Sequence, residues 1–423
     1  MIDPLLLKKI KKKQKKAKRI VKPLKKVRML YATRSITPRN LVSDELLHPA
    51  FIQGNVEIER LVRRKNGLVV KRYPFGYMLV ELFVPEAMDV LEHTKRSYDA
   101  ERTVNIPKPV RSKKGTDDLW HVRRVKTLRG RCIPPSLDGK PWTGLDVRVA
   151  VIDTGVGPHP FVDGNVRIRI DMTGEGVRDY NGHGTHVGGI VLQIAPGCEI
   201  YSIKVLDKDG RGTWVQVIEG ILKAVELGVE IINLSLGSSG ECDGSCPVCS
   251  SVDYAFSKGL LPVVAAGNEG PEKHSISCPG NSKSALTVGA VDRNLCVAEF
   301  SSRGPTADGR VKPDVVAPGV AIYSSYLDND FRFLSGTSMA TPVVSGIMAL
   351  IFQAEKRGDH DALFSSCIDL HEDPNTQGHG FPNLVLFYER YISKSLAFSR
   401  GMRIPPALIG GSAVYLLLKL LGL

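Results

Sequence analysis

The feature that most constrains the fold is a series of five short apolar runs that lack the polar alternation of half-exposed strands. The runs are VRVAVI (147–152), EIYSIKV (199–205), IINL (231–234), LLPVVAA (260–266) and ALTVGAV (285–291). Strands that are buried on both faces have this character. Helical patterns lie between the runs, notably over 214–227, where apolar residues recur every three or four positions. We therefore predict an α/β fold in which a parallel sheet carries helices on both faces.

Polar side chains follow two of these runs, and another precedes an apolar helix. Asp153 ends the first run in AVIDTGV, and Asn268 follows the fourth run in AAGNEG, between glycines. Ser338, in SGTSMATP, comes just before an apolar helix expected over 343–352, with Pro342 in its first turn. Because ligands of parallel sheets bind beyond the carboxyl ends of the strands, we expect these side chains to contribute to one site.

Two histidines, His183 and His186, lie three residues apart in NGHGTHVGG. A zinc hydrolase helix would carry H-E-x-x-H, whereas here the spacing is one residue shorter, no glutamate is present and Gly184 follows the first histidine. The pattern therefore argues against a metal-binding pair. A histidine is instead suited to act as a base, because its unperturbed pKa of about 6.5 lets it take a proton from a serine hydroxyl.

The motifs AVIDTGV, NGHGTHVGG, AAGNEG and GTSMATP resemble, in this order, those of the subtilisin-like serine proteases, the subtilases. The resemblance covers residues 119–355. It implies that Asp153 orients His183, that His183 acts as general base and then acid, and that Ser338 is the nucleophile. It also implies that Asn268 completes an oxyanion hole with the backbone N–H of Ser338. His186 is then a structural neighbour.

The resemblance further implies a protein or peptide substrate that binds as an added, extended strand. Two segments would flank this strand: Ser235, Leu236 and Gly237 on one side, and Asp209, Gly210, Arg211 and Gly212 on the other. The first-subsite pocket would be walled by the first of these segments together with Ala265, Ala266, Gly267, Ser277, Cys278, Pro279 and Gly280. The sequence thus predicts a serine endopeptidase that works through an acyl-enzyme.

No cofactor is expected for this chemistry. Many subtilisins carry a tight calcium site in a loop inserted after the catalytic histidine, but here HGTHVGGIVLQIAPGCEI (183–200) runs directly to the next strand. We expect that calcium site to be absent and leave open a weaker one elsewhere.

The cysteines raise the possibility of a second kind of metal site. The chain has eight, and CDGSCPVC supplies Cys242, Cys246 and Cys249, to which Cys278 adds a fourth thiol. These four are candidates for a structural zinc site. A disulfide among them, or free thiols, are the alternatives, and the choice depends on geometry.

Residues 31–106 read as a small α+β domain, with a strand over 75–84 and a helix over 85–96. They resemble the family's inhibitory propeptide domain, and a permanent N-terminal domain is the alternative. The Pro- and Gly-containing stretch 107–118 is then a linker and, with residues 105–106, the region where the chain would process itself. The catalytic domain is predicted to span 119–395, followed by an apolar tail over 396–423.

The basic arm, residues 1–30, is predicted to be disordered. Residues 1–28 hold thirteen Lys or Arg and one acid, so they carry +12 of the net charge of +13. Such an arm suits an anionic membrane surface, whereas nucleic acid is the less favoured partner. The apolar run before the charges is too short for a usual secretory signal, which favours a cytoplasmic protein, with export by another route as the alternative.

The apolar tail is the second candidate for membrane association. Its uncharged stretch, 404–418, is shorter than a full membrane span. A protein that binds membranes or nucleic acid through the arm and the tail, with an inactive protease fold, is the rival prediction from another functional class.

Overall fold

A computed structural model describes residues 2–14, 47–65, 67–106, 110–111, 118–128, 131–132, 142–239, 242–355 and 360–391. The contacts within it divide the chain into an N-terminal unit, Met1–Thr103 with Thr213–Val215, and a C-terminal unit, Val104–Gly212 with Gln216–Leu423. The apolar tail 396–423 and most of the basic arm lie outside the described residues.

The N-terminal unit is built on a four-stranded antiparallel sheet with the strand order β2-β3-β1-β4. Its strands are β1 (Leu47–Gln53), β2 (Leu68–Arg72), β3 (Tyr77–Phe83) and β4 (Arg96–Asp99), and its helices are α1 (4–14), α2 (Val56–Arg64) and α3 (Ala87–Leu91). The α+β character matches the sequence prediction, and β3 falls within the predicted strand 75–84.

The predicted helix over 85–96 is wrong beyond its first turns. A 3₁₀ turn at Val84–Glu86 leads into α3, which ends at Leu91, and the chain is extended again from Arg96. Thr94 donates its hydroxyl hydrogen to the Leu91 carbonyl at 2.9 Å. Such local side-chain bonds compete with helix continuation, and here one closes the helix.

The prediction of a disordered basic arm is wrong for residues 4–14, which form α1. Leu6 and Ile10, one turn apart, are fully buried in a cluster with Ile52 and Leu82 of the sheet. Lys9 on the same helix pairs with the buried Asp99 at 2.6 Å. Although α1 is rich in lysine, burial of Leu6 and Ile10 anchors it to the sheet, because two such side chains contribute about 3–6 kcal/mol.

The C-terminal unit contains a seven-stranded, fully parallel sheet with the order β10-β11-β9-β13-β14-β15-β16. Its strands are β9 (Arg148–Asp153), β10 (Val166–Asp171), β11 (Glu199–Lys204), β13 (Ile231–Leu234), β14 (Leu261–Ala265), β15 (Leu286–Val291) and β16 (Val315–Pro318). All five predicted runs are strands of this sheet.

Helices and short strands complete the C-terminal unit. The helices are α4 (Trp120–Lys126), α5 (Pro160–Asp163), α6 (His183–Ile194), α7 (Trp214–Leu227), α8 (Pro247–Ser257), α9 (Thr337–Glu355), α10 (His360–Phe364), α11 (Pro374–Gln377) and α12 (384–391). The short strands are β6 (Val110–Arg111), β7 (Thr127–Leu128), β8 (Arg131–Cys132), β17 (Ile322–Ser325), β18 (Phe331–Ser335), β19 (Cys367–Ile368) and β20 (Phe381–Pro382), while β5 (Thr103–Asn105) and β12 (Arg211–Thr213) cross the boundary between the units.

Helices cover both faces of the parallel sheet, as predicted. Val149 and Val151 of β9 belong to a core cluster that includes side chains of α6 and α9. The next residue, Ile152, points the other way and approaches Gly220 of α7. The sheet is therefore a buried layer, and polar side chains can reach solvent only beyond the ends of its strands.

The strand order changes direction at β9. After β9 the chain builds β10 and β11 on one side and then returns to add β13 through β16 on the other side. The crevice at such a switch point, beyond the carboxyl ends of the strands, is where parallel α/β sheets bind ligands. Asp153 is the last residue of β9 and Ser235 directly follows β13, and these are the two strands that meet there.

Among the described helices, α9 alone has the length and apolar composition that could cross a membrane. It is mostly buried within the C-terminal unit, which is the position of a core helix.

Two buried histidines brace α6. His186 donates its Nε2 hydrogen to the Arg332 carbonyl at 3.0 Å, and His121 of α4 contacts the Gln193 side chain at 2.7 Å. Burial lowers the pKa of His186 to about 3 and that of His121 to about 4. Both rings are therefore neutral in the folded protein at neutral pH, and His186 is the structural neighbour that the sequence predicts.

These lowered pKa values predict an acid-sensitive fold. Above a pH of about 6.5, His121 and His186 are neutral in both the folded and the unfolded chain. Below that pH the unfolded chain binds a proton on each histidine, whereas the folded chain does not. The free energy of unfolding therefore falls as the pH decreases toward about 4. Guanidinium unfolding of a Ser338→Ala protein between pH of about 7.5 and 5 measures this slope. His186→Asn should reduce the slope by about one proton relative to the Ser338→Ala parent, and an unchanged slope would contradict the assignment.

Candidate active site

A buried histidine–aspartate pair lies at the carboxyl edge of β9. The Nδ1 atom of His183 lies 2.8 Å from Oδ1 and 3.0 Å from Oδ2 of Asp153. Asp153 is fully buried, and His183 is 4% exposed. The carboxylate accepts the Nδ1 hydrogen, so Nε2 carries the lone pair, and it has no hydrogen-bond partner among the described residues. This is the arrangement of a general base.

A close backbone approach brings the two side chains together. A Cβ at Gly184 would lie 2.0 Å from the carbonyl oxygen of Gly155, so only glycine fits at position 184, directly after His183. Thr154 accepts a hydrogen bond from the Gly184 N–H through its hydroxyl at 2.9 Å. The first turn of α6 is thus fastened directly to the turn that follows β9.

Asp179 organises the start of α6, and sequence reasoning missed it. Its Oδ1 accepts from the N–H groups of Asn181 and Gly182, and its Oδ2 accepts from the N–H and hydroxyl of Thr185, all at 2.7–2.9 Å. Burial raises the pKa of this carboxyl. The available signal was an acid just ahead of a helix start, where unpaired N–H groups need acceptors.

Ser338 lies inside the first turn of α9 and not before it, because the helix begins at Thr337. The expectation that the helix starts near 343 with Pro342 in its first turn is wrong. Pro342 has no N–H to offer the Ser338 carbonyl, and the Ser235 hydroxyl donates to that carbonyl instead, at 2.9 Å. In return, the Ser338 hydroxyl donates to the Ser235 carbonyl at 3.2 Å.

Asn268 is held against the first turn of α9. Its Oδ1 accepts hydrogen bonds from both the N–H and the hydroxyl of Thr337, each at 2.9 Å. Its Nδ2 lies beside Gly336, where an added Cβ would be only 3.1 Å away. The amide hydrogens therefore remain available next to the N–H groups of the first turn of α9, which lack helical partners.

A stretch of the chain already lies between the two predicted substrate segments. Asn105 and Gly237 exchange two backbone hydrogen bonds, at 3.0 and 3.2 Å, in an antiparallel bridge. The N–H of Ile106 donates to the Gly210 carbonyl at 3.0 Å. The turn at Asp209–Gly212 is shaped by Asp207, whose Oδ1 accepts from the N–H groups of residues 209 and 211.

The three predicted walls of the first-subsite pocket meet in the structure. Ser277 donates its N–H to the Ala266 carbonyl at 2.8 Å, and a Cβ at Gly237 would lie 3.1 Å from the Ser277 Cβ. A Cβ at Gly280 would lie 2.9 Å from the Ala265 carbonyl oxygen. Glu269 was not predicted here, yet it accepts a hydrogen bond from the Ser277 hydroxyl at 2.8 Å. Their role in binding substrate stays a prediction.

The four candidate zinc ligands are brought together. The Sγ atoms of Cys242, Cys246, Cys249 and Cys278 all lie within 4.8 Å of one another. No disulfide joins any two of these four cysteines.

Comparison with known proteins agrees with this geometry. The sequence profile of the subtilase family matches residues 144–366. The chain is 40% identical to subtilisin BL of Lederbergia lenta over 245 residues, which covers 55% of this chain and 84% of that protein. It is 37% identical to serine protease AprX of Bacillus subtilis (strain 168) over 295 residues, which covers 58% of this chain and 67% of that protein.

The contacts of Asp179 predict a marked loss of stability when its carboxylate is replaced. In Asp179→Asn an amide can no longer accept from all four donors, so buried polar groups are left unpaired, at a cost of about 1–3 kcal/mol each. Guanidinium unfolding in the Ser338→Ala background measures the change. Asp171→Asn is the matched control, because Asp171 also accepts several loop hydrogen bonds but is partly exposed. Equal losses for both variants would contradict the role of burial.

Proposed function

The chain belongs to the subtilase family and is a subtilisin-like serine protease, and we propose that it hydrolyses peptide bonds through an acyl-enzyme formed on Ser338. One observation carries the proposal: the buried His183–Asp153 pair, 2.8 Å apart, leaves Nε2 of His183 without a hydrogen-bond partner among the described residues, and Ser338 and Asn268 lie beyond the same edge of the sheet. A rival binding protein with an inactive protease fold is not favoured, since all four side chains that the chemistry requires are retained.

Substrate binding would free the nucleophile. The N–H and carbonyl of Gly237 pair with Asn105. Ser235 lies two residues earlier, so in an extended chain its carbonyl points in the same direction as these Gly237 groups. A substrate strand that continues along this edge offers an N–H to the Ser235 carbonyl, which now accepts from the Ser338 hydroxyl. Displaced from that carbonyl, the hydroxyl would turn to Nε2 of His183.

The reaction then proceeds in two halves. The Ser338 Oγ forms a bond to the substrate carbonyl carbon as its proton moves to His183 Nε2, and Asp153 stabilises the resulting imidazolium. His183 then gives this proton to the leaving amine as the carbon–nitrogen bond breaks, which leaves the acyl-enzyme. Water, deprotonated by His183, releases the acyl group by the same steps.

The oxyanion of the tetrahedral intermediate would be stabilised by two donors. One is the Asn268 side-chain amide, whose orientation is fixed through Thr337. The other is the backbone N–H of Ser338, at the positive end of α9. Because these donors are held in place before the reaction, little reorganisation is needed when the charge develops.

Kinetics of the purified protease on a peptide substrate provide the direct test of these roles. Ser338→Ala and His183→Ala should each lower kcat by about 10⁶-fold, and the double variant should be no worse, because the residues act as a unit. Asn268→Ala should lower kcat by about 10²–10³-fold with a smaller change in KM. A double variant that loses activity additively would contradict a shared step.

We further propose that the chain cuts itself within residues 105–118. Two observations support this: Asn105 and Ile106 lie in the position proposed for a substrate strand, and Val110 pairs with Ser335, three residues before the nucleophile. The N-terminal unit would then act as the propeptide and leave after the cut.

Self-processing predicts different chain lengths for active and inactive protein. The active chain should appear in intact-mass spectra as a product that begins within or just after 105–118, while Ser338→Ala should stay full length. Asn268→Ala, which retains the nucleophile, should be cut slowly. Full-length active protein, or cutting of purified Ser338→Ala, would overturn self-processing without affecting the protease assignment.

The remaining proposals concern location and calcium. Association with membranes through the apolar tail would be tested by fractionating cells that express the chain with or without residues 404–423.

The helix α6 runs without a break to Ile194 and β11 follows at Glu199, which supports the proposal that the inserted calcium loop is lacking.

A further inference from the structure

Four cysteines form a compact cluster that the proposed mechanism does not use. Three of the four residues are buried, and all six pairs of Sγ atoms lie within 4.8 Å. They come from two separate stretches of chain, the loop and first turn of α8 for Cys242, Cys246 and Cys249, and the pocket wall for Cys278.

The sulfur–sulfur distances favour an ion over a disulfide. They are 3.1 Å for Cys246–Cys278, 3.4 Å for Cys249–Cys278 and 3.7 Å for Cys242–Cys249. A disulfide requires about 2.05 Å. A tetrahedron of sulfurs around Zn²⁺, with Zn–S of about 2.3 Å, has edges of about 3.8 Å. Every measured distance is closer to the tetrahedral edge than to the covalent bond.

The local backbone is also shaped as a chelating loop. The spacing C-x₃-C-x₂-C places three thiols within eight residues, and Gly244 adopts the left-handed conformation with φ of 78° between the first two. Cys246 caps α8, and its sulfur accepts a hydrogen bond from the Cys249 N–H at 3.4 Å. Such N–H···S contacts stabilise a thiolate and orient it toward a metal.

We propose that Cys242, Cys246, Cys249 and Cys278 bind one Zn²⁺ as four thiolates. Four protein ligands fill the tetrahedral coordination of zinc and leave no position for water or substrate, so the ion is structural and not catalytic. On binding, the thiols lose their protons, and the resulting Zn(Cys)₄ group carries a charge of −2. The guanidinium of Arg310, which also pairs with Asp308 at 2.8 Å, approaches Gly244 of the chelating loop and hydrogen-bonds the Asn281 carbonyl at 2.7 Å, so it supports the backbone of that loop.

The ion would fasten the wall of the proposed first subsite. Cys278 pairs with Ser238 through two backbone hydrogen bonds, at 2.9 and 3.1 Å, and Ser238 directly follows Gly237 of the substrate-flanking segment. The neighbouring Ser277 contacts Gly237 and Ala266. Zinc would therefore connect the loop before α8, the pocket wall at Cys278 and the end of the substrate-flanking segment 235–237. This last step rests on the proposed function, whereas the metal site does not.

Metal content of the full-length Ser338→Ala protein tests the site independently of protease activity. The protein is purified without chelators or a histidine tag, and elemental analysis should find about one zinc per chain. Replacement by Co²⁺ should give the thiolate-to-metal and visible absorption bands of tetrahedral cobalt–thiolate coordination. Cys249→Ser and Cys242→Ser should lose the zinc, while Cys198→Ser, which removes a buried thiol outside the cluster, should keep it.

Three outcomes would overturn the zinc site: iron in place of zinc, disulfide-linked peptides that join the cluster cysteines in protein purified without oxidant, or protein that is purified without metal and in which all four cluster cysteines are mapped as free thiols. The zinc content is measured on Ser338→Ala protein that retains all four cysteines. The test of the zinc site therefore does not depend on whether the cysteine variants fold.

The link to the substrate pocket is tested on active protein. Removal of zinc by a chelator should raise KM for peptides by roughly tenfold, equivalent to about 1.4 kcal/mol of binding, with a smaller change in kcat. If the protein contains zinc but its KM does not change when the zinc is removed, the link to the pocket is overturned and the metal site stands. An inactive Ser338-containing protein would contradict the proposed function and leave the metal measurement on Ser338→Ala unaffected.

Discussion

The site depends on one steric constraint, the approach of the first turn of α6 to the turn after β9. The helix can come this close only because Gly184 has no side chain, since a Cβ there would lie 2.0 Å from the Gly155 carbonyl oxygen. That approach lets Thr154 accept from the helix N–H and places His183 within 2.8 Å of Asp153. The buried sheet makes the constraint rigid, because Asp153 belongs to a strand that is covered on both faces.

The other side of the site is held by a second exchange of polar groups. Pro342 in α9 leaves the Ser338 carbonyl without its helical donor, and Ser235 supplies one, while its own carbonyl accepts from the Ser338 hydroxyl. The segment that carries Ser235 continues to Ser238, which pairs with Cys278. Ser338, the segment 235–238 and the cysteine cluster are therefore linked through one short stretch of backbone. If the proposed roles hold, a disturbance of the cluster would affect substrate binding more than the chemical step.

Much of the fold and the candidate site could be predicted from the sequence, because buried parallel strands and their polar ends leave a clear pattern. The edge strands β10 and β16 were not predicted, since β10 is half-exposed and interrupted by arginines and β16 ends in Pro318, a residue that argues against a strand. The helix start at Thr337 was obscured by Pro342, whose missing hydrogen bond is compensated by a residue 107 positions earlier in the chain. Asp179 was missed for a similar reason, because its four acceptor contacts appear only after the loop has folded. The cysteines were recognised as a group, but only their distances distinguish an ion from a disulfide.

Covalent labelling shows whether Ser338 is the nucleophile and whether the His183–Asp153 pair activates it. The protein is treated with a serine-directed phosphonate, digested and mapped by mass spectrometry. We expect a single adduct on the peptide that carries Ser338, formed slowly in His183→Ala and absent from Ser338→Ala. An adduct on another serine, or equally fast labelling of Ser338 without His183, would contradict this assignment.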